Sequence, residues 1–154
     1  MGQTTFSGPV RSERGFTAVG SNAVVNITVE TTLTYADHVG RIIEINDADG
    51  AVTLPSITAA TIGAKYTFFV GTDASDLDIK TDGTDKFVGS LSVAGTTTKA
   101  FAPAASNDVI SMNGGTTGGD AGSYVEATAL ATAEYLVQGV LVGSGSVATP
   151  FADS

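Results

Sequence analysis

Cysteine is absent from the 154 residues, so disulfides and thiolate metal sites are excluded. Tryptophan is absent too, and histidine occurs once, at His38. One imidazole and no thiolate leave only carboxylates for zinc. A Ser-His-Asp mechanism needs an imidazole held between a nucleophile and an orienting acid. His38 has Asp37 beside it in sequence, which is not that geometry, and no GxSxG elbow is present. Charge is scarce: 15% of residues are charged, against about 25% in ordinary globular proteins. Positive charge is scarcest, with 7 Lys and Arg against 16 Asp and Glu and a net charge of -9. Such a surface repels nucleic acid and anionic membrane. No apolar run approaches the roughly 20 residues of a membrane helix. The opening MGQTTFSGPVRSERG has neither the basic start nor the apolar core of a signal peptide. GGTTGG is not followed by the Lys-Ser/Thr pair of a phosphate loop.

What is present reads as β structure. Nineteen glycines, abundant Thr, Ser and Ala, and short β-branched runs predict many tight turns and few long helices. The organising stretch runs from His38 to Gly71. Arg41 to Asn46 predicts a strand with Ile43 and Ile45 on one face and Ile42 and Glu44 on the other. NDADG predicts a turn, Ala51 to Leu54 a second strand ended by Pro55, and SITAATIGA a short helix or wide loop with Ile57 and Ile62 as core plugs. Lys65 to Val70 is the strongest strand, with Tyr66, Phe68 and Val70 opposite Lys65, Thr67 and Phe69. Both faces carry an aromatic, so one of them must meet a loop, a second sheet or a partner.

Before this stretch, AVVNITV predicts a strand. Thr34, three residues before Asp37, predicts one capped helical turn through His38, closed by Gly40. After it, LDIKTDG reads as an edge strand with Leu77 and Ile79 inward. Further strands are expected around Phe87 to Val93 (interrupted by Gly89), at TTTKAFA, and from Asp108 to Met112. A last pair runs from Ser123 to Leu130 and from Glu134 to Val142. GSGSVATPFADS reads as a short tail anchored by Phe151. Eight to eleven short strands, with no βαβ series, predict an all-β fold: an antiparallel, jelly-roll-like β-sandwich over residues 23–154. Residues 1–22 form an extended N-terminal arm, mildly basic through Arg11 and Arg14 on an otherwise acidic chain.

No constellation specifies chemistry. Asp47 and Asp49 with Gly50, and Asp73, Asp76, Asp78, Asp82 and Asp85 with Gly83, look like fragments of calcium loops. Neither has the full spacing with a closing Glu, and Asp favours turns for local reasons. The sequence therefore assigns no catalytic residue, no metal ligand and no cofactor, and an enzyme is not expected.

Three blocks carry a likeness: TYADHVGRIIEINDADGAVTLP, GAKYTFFVGT and SNDVISMNGGTTGGDAGSYVEATALATAEYLVQGVLVGSGS. Together they resemble small virion proteins of tailed bacteriophages, especially marine phages, of the capsid decoration or cement family. Blocks similar to the first also occur in phage fibre modules; the likeness spans about residues 31 to 147 and leaves out the arm. It implies a structural protein of the virion that binds the outer surface of the head as a homotrimer, with the major capsid protein as partner. The implied contacts are an arm carrying Phe6, Val10, Arg11, Arg14 and Phe16, and a trimer interface at Phe69, Phe87 and Tyr135. The alternatives are a trimeric fibre or spike module and a calcium-assisted carbohydrate-binding sandwich.

Overall fold

The computed structural model describes Gly20 and residues 23–154. The expected arm contacts Phe6, Val10, Arg11, Arg14 and Phe16 lie outside the described residues. Within them the chain forms β1 (Val24–Ile27), β2 (Thr31–Thr32), α1 (Tyr35–His38), β3 (Ile42–Ile45), β4 (Ala51–Thr53), β5 (Lys65–Val70) and β6 (Leu77–Lys80). There follow β7 (Lys86–Ala94), β8 (Thr98–Phe101), β9 (Val109–Met112), β10 (Asp120–Ala131), β11 (Glu134–Val142) and β12 (Phe151–Ala152).

The fold is all-β, as expected, but its sheets are mixed. One has seven strands in the order β1-β3-β5-β10-β11-β7-β8, the other five in the order β12-β9-β6-β4-β2. Five of the ten pairings are parallel and five antiparallel. The antiparallel expectation fails for a definite reason. From β1 to β7 the chain alternates strictly between the two sheets, so successive strands of one sheet run the same way. The return path that parallel pairing requires is usually a helix; here it is a strand of the opposite sheet. NDADG is accordingly a corner between sheets, not a hairpin turn.

The pleat then sorts the side chains. Ile43, Ile45, Val52, Leu54, Tyr66, Phe68, Val70, Leu77 and Ile79 all join one core shared by both sheets. Ile57 joins that core, while Ile62 is exposed and the surrounding stretch forms turns without a helix. LDIK is no edge: β6 is the middle strand of five. Phe151 is buried and pairs with Ile110, which makes the expected tail anchor a strand.

Two local features follow the sequence closely. Thr34 caps α1, its Oγ1 accepting from the Asp37 N–H at 3.2 Å, and Gly40 ends the turn at φ +72°. Gly89 does not interrupt β7. It sits at φ +106° opposite Val137, where any Cβ would strike the Val137 carbonyl, and so lets β7 run unbroken against β11.

Candidate functional site

The outer face of the seven-stranded sheet is built by the alternate residues that miss the core. Register aligns them in two rows. Val24, Ile42, Thr67, Glu126 and Gln138 form one row, and Asn26, Glu44, Phe69, Tyr124 and Val140 the next. Val24, Ile42, Phe69, Tyr124 and Val140 stay between 39% and 47% exposed although they are large and apolar. A groove of about 380 Å³ runs among Val24, Ile42, Glu44, Thr67, Phe69 and Tyr124. The opposite sheet turns Ala51, Thr53, Asp78, Lys80 and Ser111 outward instead, so the apolar surface is one-sided. Scattered apolar residues are ordinary on a surface, whereas a contiguous set marks a contact site.

Around Glu126 the charge on this face is internally balanced. Glu126 accepts from Lys65 Nζ at 2.9 Å, from Gln138 Nε2 at 2.7 Å and from the Tyr124 hydroxyl at 3.2 Å. The hydrogen bonds from Lys65 and then Gln138 hold the Glu126 carboxyl below its ordinary range. Partial burial, with the bond to Glu126, pushes the Tyr124 hydroxyl up. A neutralised carboxylate set among apolar side chains is cheaper to cover than an unpaired one.

Of the three expected interface residues, only Phe69 lies on this face. Phe87 and Tyr135 are each 1% exposed and belong to the core. Their strand positions alternate inward, opposite Val88 and Leu136. Tyr135 meets Tyr66 edge to face at a centroid distance of 6.3 Å, and its hydroxyl donates to the Pro55 carbonyl at 2.6 Å. Phe87 and Tyr135 are thus corrected to core residues, while Phe69 shares an exposed face with Val24, Ile42, Tyr124 and Val140. The signal for it was the mixed second face of RIIEIN and KYTFFV. Tyr124 and Val140 join only through register, which no local pattern encodes.

No family model, curated protein or solved structure matches the chain.

The acidic loops serve local structure. Asp82 Oδ1 accepts from the Thr84 N–H, the Thr84 hydroxyl and the Asp85 N–H, and Oδ2 accepts from the Ser56 hydroxyl. Burial works against its charge, but these bonds prevail and bring the carboxyl down to about 2. Asp85, buried and accepting from the Ile57 N–H at 2.9 Å, is pushed up by desolvation, with the Asp82 charge adding to it. Asp73 accepts from the Ala121 N–H. Among the described residues no three His, Asp or Glu side chains converge as metal ligands. His38 Nδ1 accepts from the Thr34 N–H at 2.9 Å, which fastens the capped turn.

A second cavity, about 520 Å³, opens beside the β10–β11 turn and is bounded by Lys86, Pro103, Ala133 and Glu134 among others. Its lysine is already engaged: Lys86 Nζ lies 2.8 Å from Asp108 Oδ2. Asp108 also accepts from the Ser154 N–H and hydroxyl.

Proposed function

We propose that this chain is a structural virion protein that binds the outer surface of a tailed-phage head and stabilises the mature capsid, acting there as a trimer. The observation that carries the reading is the one-sided apolar face of the seven-stranded sheet. It is joined by the likeness of three sequence blocks to decoration proteins. In this reading the two mixed sheets form a sandwich whose outer face at Phe69, Ile42 and Tyr124 packs against neighbouring copies. Residues 1–22 reach the shell, with Phe6, Val10 and Phe16 as anchors and Arg11 and Arg14 pairing with carboxylates of the major capsid protein. The mechanism is linkage: contacts that exist only on the expanded lattice stabilise that lattice.

Cosedimentation with undecorated heads, mature and immature, tests the reading. Saturable binding to mature heads is expected, with loss on removing residues 1–22. Absence of binding to either form rejects it.

One observation favours a fibre or spike module as the second reading. Strands β1 to β6 wind as a coil between two sheets, the arrangement that solenoid modules repeat along a shaft. A trimer that forms without heads and fails to bind them would select this alternative.

A further inference from the structure

We propose that in the isolated protein the chain's own N-terminal segment, residues 1–19, docks on the outer face of the seven-stranded sheet and covers the groove between Val24 and Tyr124. Three observations converge on this occupant. The segment enters the described structure beside the groove, since Val24 lines it and is the first residue of β1. At that entry the Ala23 N–H donates to the Gly20 carbonyl at 3.0 Å, with Gly20 at φ +98°.

Reach is ample. From β1 to β11 the face crosses four inter-strand steps, roughly 19 Å at about 4.8 Å each. Ten extended residues span about 33 Å. The chemistry also matches. Met1, Phe6, Val10, Phe16 and Val19 are the segment's large apolar residues. Arg11 and Arg14 against Glu13 make the segment net positive on a chain of net charge -9. Glu44 lies within the groove, beside Ile42 and Phe69, to receive that charge. Tethering also favours the chain's own segment, because covalent linkage gives an effective concentration on the order of millimolar.

The inference goes beyond the capsid reading and does not need it, since it concerns the protein without heads. On that reading, release of the segment to a shell would uncover Phe69 for neighbouring copies.

Limited trypsin digestion of the full chain tests it through cleavage after Arg11 and Arg14, compared with a synthetic peptide of residues 1–22. Docking predicts cleavage at least tenfold slower than in the peptide, unchanged between about 1 and 100 µM chain. Replacing the face with Ile42→Lys and Phe69→Lys should restore the peptide rate. A variant altered only in the segment, Phe6→Ser with Phe16→Ser, should do the same without touching the folded body. It decides the matter if the face variant misfolds. Peptide-rate cleavage in the parent chain overturns the inference, as does protection that survives the segment variant. Protection that rises with chain concentration also overturns it, by assigning the face to another copy.

Discussion

Tyr135 illustrates how one side chain can satisfy two environments. Its ring lies in the core against Tyr66, and its hydroxyl ends on the Pro55 carbonyl. Burial pushes this hydroxyl up strongly and the Tyr66 hydroxyl up to about 12. Tyr135→Phe should cost about 1 kcal/mol through the lost bond. Tyr135→Ala should cost about 3–5 kcal/mol through the cavity. Urea unfolding of the two variants separates these contributions. Asp82 gives a pH signature at the same scale. Its folded value of about 2 lies below the ordinary 3.8, so the folded state prefers its ionised form. The stability it contributes is complete above about pH 4 and is lost as pH falls through 2. Asp82→Asn should therefore lower the melting temperature at pH 7 and have little effect at pH 2. Because Asp82 is exposed, solvent screening keeps the effect modest. Melting curves across that range provide the check.

Among the elements, the β10–β11 hairpin carries the one non-glycine residue with positive φ among those described, Ala133 at +67°. Its carbonyl receives the Lys86 N–H at 2.9 Å, so the conformation is tied to the start of β7. Ala133→Gly should stabilise the protein by about 1 kcal/mol by relieving the left-handed penalty. Gly89→Ala, in the adjacent strand, should destabilise it by about 1–3 kcal/mol because the new methyl has no room. Paired denaturation curves would show the opposite signs. Strand positions and several inward faces were legible because period-2 alternation is local: Ile43 with Ile45 and Leu77 with Ile79 point as the pattern requires. The capped turn at Thr34 was equally local. Strand direction was not legible. Val24 pairs with Ile42 and Ile42 with Thr67, offsets of 18 and 25 residues. Winding of such unequal length leaves no repeat to detect. The edge reading of LDIK failed for a related reason. Its outward Asp78 and Lys80 look like edge protection, but they cover the outer face of a central strand.

For the whole molecule, the decisive asymmetry is between its two outer faces. The site was half legible: Phe69 was visible as an aromatic on the second face of its strand, whereas Phe87 and Tyr135 carried the same local pattern into the core. Only the pairing of β3, β5, β10 and β11 assembles the rest. Phe69→Asp should shift folding stability by no more than about 0.5 kcal/mol, as surface changes do. Phe87→Asp should prevent folding by placing an unpaired carboxylate in the core. Binding to heads, on the proposed function, should be lost with Phe69→Asp despite normal unfolding curves.

The hairpin wedged between β5 and β7 also sets a timetable for synthesis. Strands β1 to β6 find their parallel partners within a few tens of residues. Phe69 must wait for Tyr124, and Lys86 for Glu134. At about 5–20 residues per second, a delay of some 50 residues leaves KYTFFV with a bare edge for roughly 3–10 s on the ribosome. The nascent chain is most vulnerable to misassociation in that interval, and slower translation would lengthen it.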